Sequence, residues 1–331
     1  MGTSFLARQE RFASVGSTND VVRAWLAEGT PEVALAIADE QTAGRGRDGR
    51  TWQAPPGAAL LLSLGFRPQW LAADRAWRLA ATVSLAMADA AEEVAGLPDR
   101  AIRLKWPNDL VVELDGATAV LLDDLSGDAA RAALDGPADI RKVAGVLGET
   151  SGLGTDDPCA VVGIGMNADW AAVDFPPELA HSMTSLREAS RGRPIDLAML
   201  LDGFLGRLEA RVEALRGGRF DIADWTERQL TTGRLVRLEL PDREPELVRA
   251  LGVDQATGAL VVKDDAAETG ERLVHSGEIV HVRLATGPDG PGPGPALSAN
   301  ASSEEAVAVA ATPATTAAVN PDSPAVPSGG V

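Results

Sequence analysis

Apolar residues recur along this chain in two rhythms. Val21, Val22, Trp25 and Leu26 fall at helical spacing behind the cap-forming run Ser17-Thr18-Asn19-Asp20, and Gly29 closes the pattern, so a capped helix of about three turns is expected. Val33 to Ala38 and Ala58 to Phe66 are short, nearly unbroken apolar runs of the kind buried strands show, and Ala72 to Ala95 returns to the helical period before Gly96-Leu97-Pro98 ends it. The order predicted so far is helix, strand, loop, strand, helix.

Further on, Ile102 to Lys105 reads as a strand broken at Pro107, turned at Asn108-Asp109 and resumed over Leu110-Val111-Val112. Val143 to Glu149 and Ala160 to Met166 are two more β-branched runs, the second interrupted by Gly163 and Gly165, which suits central strands approached closely by other backbone. Between them and the broken strand, Glu113 to Arg141 is rich in Ala, Asp and Gly and reads as an insertion. Pro194 to Leu215 predicts a strong amphipathic helix and Phe220 to Leu230 a shorter one, both suited to covering the sheet.

From Gly233 the texture changes. GRLVRLEL, ELVRALGVD, GALVVKD and EIVHVRL alternate in short runs separated by turn residues, which predicts a small barrel of about five strands ending near Leu284. After Thr286 there is no Lys, Arg or aromatic residue, and the Gly-, Pro- and Ala-rich composition predicts a disordered tail.

Composition narrows the function classes. At 331 residues and 45% apolar the chain can bury a sizeable core, and its 30 basic against 48 acidic residues argue against a general affinity for nucleic acid or anionic membrane. No apolar run is long enough to span a bilayer, no signal peptide is evident, and too few residues precede Ser17 for a helix-turn-helix. Cys159 is the only cysteine, so intramolecular disulfides and a CxxC metal framework are excluded and a reducing cytoplasm is expected. His181, His275 and His281 have no metal spacing.

Against this acidic background, Gly44 to Trp52 (GRGRDGRTW) carries Arg45, Arg47 and Arg50 against Asp48 alone. Glycines let backbone N–H groups converge on one anion, and arginine adds a planar, permanently charged fork, so the loop is read as a phosphate or carboxylate holder. Lysine is scarce: only Lys105, Lys142 and Lys263 are present, and two of them sit in the motifs KWPND (Lys105 to Asp109) and KVAGVLG (Lys142 to Gly148).

Ser17-Thr18-Asn19, GRGRDGRTW, KWPND, KVAGVLG and GIGMN (Gly163 to Asn167), in this order, closely resemble biotin protein ligases of the type without a DNA-binding domain. The resemblance runs from about Ser14 to Leu284. It implies an α+β fold, with a mixed-sheet catalytic domain like that of class II aminoacyl-tRNA synthetases over 14–230 (113–141 an insertion) behind an extension of 1–13. It further implies an SH3-like barrel over 231–285, with the tail at 286–331.

The activity implied is activation of biotin by ATP to biotinyl-5'-AMP with release of pyrophosphate, then transfer to a lysine of the biotin carboxyl carrier domain of a carboxylase, by a monomer or weak homodimer. By the same resemblance Lys142, Arg45 and Arg47 are catalytic, and Ser17, Thr18, Asn19, Gln41, Gly44, Arg45, Gly46, Arg47 and Lys142 hold biotin. Arg47, Arg50, Trp52, Lys105, Trp106, Asn108 and Asn167 hold ATP, Trp52 closing over the ligands, and Asp109 takes Mg²⁺. A lipoate or octanoate transferase of the same fold and a non-catalytic biotin- or nucleotide-binding regulator are the alternatives.

Overall fold

The computed structural model of the chain describes residues 5–113, 140–176, 179–180, 182–241 and 243–281. Of the expected insertion, residues 114–139 lie outside them, as do the expected tail and His181, while Glu113, Ile140 and Arg141 at its ends are sheet residues. In chain order the first part contains β1 (Arg8–Phe12), α1 (Thr18–Ala27), β2 (Ala34–Ala38), β3 (Ala59–Phe66), α2 (Trp77–Ala95), β4 (Ile102–Lys105) and β5 (Asp109–Glu113). Then come β6 (Ile140–Ser151), β7 (Cys159–Asn167), the short α3 (Leu186–Ala189), α4 (Leu197–Arg216) and α5 (Ile222–Glu227). These build a seven-stranded mixed sheet in the order β1-β2-β3-β7-β6-β5-β4, parallel only between β1 and β2. The mixed α+β architecture is the one expected.

β1 has no counterpart in the sequence reading. Its RQERF is almost wholly polar because it is an edge strand with little to bury, so only its pairing with β2 reveals it.

Strand alternation explains the layers. Leu60, Leu62, Leu64 and Phe66 of β3 and Ala160, Val162, Ile164 and Met166 of β7 point to one face, where α2 and α4 complete a large core. The other face is mostly small or polar, with Ala34 and Ala36 on β2, Ser63 and Gly65 on β3 and Gly163 and Gly165 on β7, Leu61 and Val161 being the larger apolar residues there. α1 lies there through Val22, Trp25 and Leu26, so closely that a Cβ at Gly65 would fall 2.6 Å from Val22 Cγ1. Ser17 occupies the N-cap of α1 but makes no side-chain cap bond, contrary to the capping expected; it lines the cavity described below, where the Thr18 hydroxyl meets Gln41 and Ser63.

β8 (Leu235–Glu239), β9 (Glu246–Val253), β10 (Leu260–Lys263), β11 (Glu271–Val274) and β12 (Glu278–His281) form a second, antiparallel sheet in the order β11-β10-β9-β8-β12. The strand count matches the barrel expected, but among the described residues the outer strands β11 and β12, paired with β10 and β8, do not pair with each other, so the sheet is open. Strand number is legible in sequence; whether the outer strands meet is decided by twist and register. Both sheets lie in one compact unit, Met1–Thr286, joined where Trp106 Nε1 donates to the Gly258 carbonyl (3.2 Å) and Trp77 Nε1 to that of Ala256 (3.1 Å). Among the described residues no helix is long and apolar enough to cross a membrane.

Candidate active site

Register places the site. Leu61, Gly165, Gly145 and Asp109 are neighbours across β3, β7, β6 and β5, and Asp109 pairs with Lys105 on β4. The next row is Ser63, Gly163 and Leu147. Three glycines therefore clear a trough across the middle of the sheet, on the face α1 half covers, and a cavity of about 340 Å³ opens over it.

At one end Ser17, Thr18, Asn19 and Gln41 line this cavity. Gln41 Oε1 accepts from the Thr18 backbone N–H (2.8 Å) and its hydroxyl (3.1 Å), and Ser63 Oγ lies 2.6 Å from Thr18 Oγ1. A Cβ at Gly163 would collide with Asn19 Oδ1, so a side chain there would displace the Asn19 amide.

The Gly44–Trp52 loop supplies the middle. It is a small hairpin: Gly46 N–H donates to Arg50 O (2.7 Å), Trp52 N–H to Gly44 O (2.9 Å), and Arg45 pairs with Thr51. Asp48 (φ 53°) and Gly49 (φ 74°) take the turn in left-handed conformations. Of the loop's N–H groups, those of Gly46, Arg50 and Trp52 are spent within the hairpin and are not free to converge on an anion. Gly44 does not line the cavity; a side chain there would strike the Trp52 carbonyl. Gly46, Arg47 and Arg50 do line it, and Arg47 Nη1 also donates to Gly277 O of the second sheet (3.2 Å).

Arg45 grips Asp20 with both terminal nitrogens (2.6 and 2.8 Å) and comes within 3.5 Å of Glu149. This pair holds the Asp20 carboxyl below its usual range, with a smaller contribution from Arg23, and raises Arg45. A depressed carboxylate contributes stability above its unfolded pKa and loses it as pH falls through the folded one. Carboxyl-carbon NMR of the whole chain should find Asp20 titrating below 3.8, and Arg45→Ala should shift it upward; an Asp20 that ignores the substitution would contradict the pairing.

At the far end stand Lys105, Asn108, Asp109 and Lys142. Regular alternation would point Lys142 away from Gly145, but the register slips between Leu110 and Val111, pairing Leu110 with Ala144 and Val111 with Lys142. This bulge at Val143 brings Lys142 onto the trough side, its Nζ 2.6 Å from Asp109 Oδ1 without hydrogen-bond geometry and 5.4 Å from the Trp52 ring. Trp52 packs on the bare sheet, where a Cβ at Gly165 would lie 2.5 Å from Nε1, and forms part of the cavity wall; its buried Nε1–H has no partner.

Two of the residues expected to contact the nucleotide do not line this cavity. Asn167, fully buried, donates to Thr184 O (3.1 Å) and lies outside the cavity, and Trp106 lines a second cavity of about 340 Å³ between the two sheets, which adjoins the first and shares Arg47, Lys105, Asn108 and Asp109 with it. Residues the sequence did not single out complete the wall. Leu179, Ser182 and Met183 arrive because Lys142 N–H bonds Ser182 O and Thr184 N–H bonds Lys142 O, both at 2.9 Å, and no local signal marks them. Ser63 and Glu149 had one faint signal, as polar residues in otherwise buried strands.

The family model described as the Biotin/lipoate A/B protein ligase family matches residues 12–167. The biotin--[acetyl-CoA-carboxylase] ligase of Mycobacterium tuberculosis is 31% identical over 275 residues, 82% of this chain and 88% of that protein. This chain belongs to the biotin protein ligase family. Its activity is biotin ligation, which sets aside the reading as a non-catalytic regulator. The Paracoccus denitrificans biotin--[acetyl-CoA-carboxylase] ligase is 36% identical over a shorter stretch, 43% of this chain and 47% of that protein. The solved biotin protein ligase of Aquifex aeolicus, in complex with biotin and ATP, shares the ligase fold with a TM-score of 0.61 at 24% identity, over 84% of this chain and 99% of that one.

Proposed function

We propose that this ligase activates biotin with ATP to biotinyl-5'-AMP and passes the biotinyl group to a lysine of a carboxylase's biotin carboxyl carrier domain. The observation that carries the reading is one cavity with hydrogen-bonding side chains at one end and Arg45, Arg47, Lys105 and Lys142 along the rest. The Ser17-Thr18-Asn19-Gln41 end suits a ureido group, which both donates and accepts, and the cationic part suits a carboxylate meeting a triphosphate. Two like unit charges near 4 Å repel by about 4 kcal/mol at an effective dielectric of 20, so fixed cations are the first requirement of the step. Lys142 and Arg47 neutralise that repulsion as the carboxylate oxygen attacks the α-phosphorus and pyrophosphate departs. In the second step the acceptor amine attacks the acyl carbon, AMP leaves, and Lys142 stabilises the departing phosphate.

Trp52 Nε1 and Asn108 supply further donors to the nucleotide. The Asp109 carboxylate is a hard oxygen donor of the kind that holds Mg²⁺ together with substrate phosphates, and its Oδ1, buried without a hydrogen-bond partner, also faces Lys142 Nζ at 2.6 Å. Such an ion, when bound, neutralises phosphate charge. The relatives' names supply the carboxylase as acceptor class.

The test is exchange of labelled pyrophosphate into ATP by the purified full chain. Stimulation by biotin and not by lipoate or octanoate, followed by labelling of a carrier domain, is the expected result. Lipoate-driven exchange would transfer the reading to the other branch of the family model.

A further inference from the structure

Glu149, at the open end of β6, lies outside the cavity lining, yet it is bonded to a side chain that forms the wall. Its Oε2 accepts from Asn19 Nδ2 at 2.6 Å and also meets Arg23 Nη2 at 2.7 Å. Asn19 is 5% exposed and held from its other side by Ser63 Oγ, 2.5 Å from Asn19 Oδ1.

The chemistry of these partners is directional. An ionised carboxylate only accepts, so the Asn19 atom facing Glu149 has to be the amide nitrogen, and the oxygen then has to face the Ser63 hydroxyl. Ser63 has a single proton, and giving it to Asn19 leaves Thr18 to donate its own to Ser63 or to Gln41 Oε1. The orientation of one amide thus fixes the hydrogen-bond direction at Asn19 and Ser63 and bars Thr18 from accepting the Ser63 proton, at the end of the cavity assigned above to the ureido group. Asn19 has one N–H and one lone pair left for a ligand, and which is where depends on Glu149.

We propose that Glu149 is a positioning residue for biotin recognition, selecting the amide orientation of Asn19 and through it the donor and acceptor pattern offered to the ureido ring. The inference rests on the assignment of this end of the cavity to biotin. Glu149 does not touch the reacting atoms and acts before chemistry, on biotin alone.

The experiment compares Michaelis constants in biotin-dependent pyrophosphate exchange for the full chain and its variants. Glu149→Met, which has the length but no acceptor, should raise KM for biotin about tenfold or more, the scale of one lost charge-assisted hydrogen bond, with kcat and KM for ATP nearly unchanged. Glu149→Gln should recover most of the loss, since the neighbouring donor Arg23 keeps its carbonyl oxygen, not its amide nitrogen, on the side that accepts from Asn19 Nδ2, although it cannot ion-pair with Arg23 or Arg45. In an Asn19→Ala background Glu149→Met should cost little more, because the partner it orients is gone.

A Glu149→Gln variant as impaired as Glu149→Met would assign the effect to charge pairing with the arginines and overturn the proposal. So would equal losses for biotin and ATP, or full additivity with Asn19→Ala. Absence of biotin-dependent exchange in the unmodified chain would instead sink the functional reading beneath it. A thermal midpoint measured beside each variant separates loss of fold from loss of recognition.

Discussion

Lys142→Ala is expected to abolish biotin-dependent pyrophosphate exchange, with a loss of at least about 10²- to 10³-fold in turnover, the range seen when one preorganised charge-stabilising donor is removed. Two effects add. The reacting carboxylate and phosphate lose the cation between them, and Asp109, whose ion-pair partner lies 2.6 Å away, is left as an uncompensated negative charge in the same cavity. Lys142→Arg should recover little, because a planar guanidinium cannot take the place of a compact ammonium packed beside Gly145 and the Trp52 ring. Single-turnover formation of biotinyl-5'-AMP checks the claim directly. A Lys142→Ala protein that forms adenylate at the normal rate would remove Lys142 from the chemistry.

Arg228→Met should cost the fold about 3 to 5 kcal/mol, the usual consequence of leaving buried carboxylates without their cation. Arg228 is 2% exposed, and all of its N–H donors are used. Nε bonds Asp224 (3.0 Å), Nη1 bonds Glu92 (2.8 Å) and the Ile102 carbonyl (3.0 Å), and Nη2 bonds Asp89 (2.6 Å) and Glu92 (3.2 Å). Burial opposes the charge, but Glu92, Asp224 and Asp89 outweigh it and hold the guanidinium pKa above its ordinary value. The cluster clasps α2, β4 and α5 together, and Leu104 N–H reaches the Arg228 carbonyl at 2.8 Å just before Lys105 enters the site. Urea unfolding of the purified chain measures the loss. Arg207→Met is the control: its Glu93 partner is mostly exposed, so that substitution should cost less than about 1 kcal/mol. Equal losses for both variants would show that Arg228 is no keystone.

Much of this was legible in the chain itself. Apolar runs at Val33 to Ala38, Ala58 to Phe66 and Ala160 to Met166 marked central strands because a strand covered on both faces has few polar positions. GRGRDGRTW, KWPND and the rare lysines marked the chemistry, because charge placed between apolar strands serves the core poorly. β1 was missed because an edge strand is free to be polar, and Leu179, Ser182 and Met183 because their place is set by hydrogen bonds to the distant Lys142.

By itself the sequence determined which residues had chemistry to offer and the order of most elements, since periodicity, turn residues and charge are local properties. Which of those residues share a cavity was decided only in three dimensions. Gly145, Gly163 and Gly165 become one trough only when β6 and β7 pair in register. Lys142 faces that trough only because the slip beside Val111 turns it over. Asn167, equally promising in its motif, shares the face of Gly163 and Gly165, yet it is fully buried outside the cavity lining at the strand end, where its amide bonds the Thr184 carbonyl.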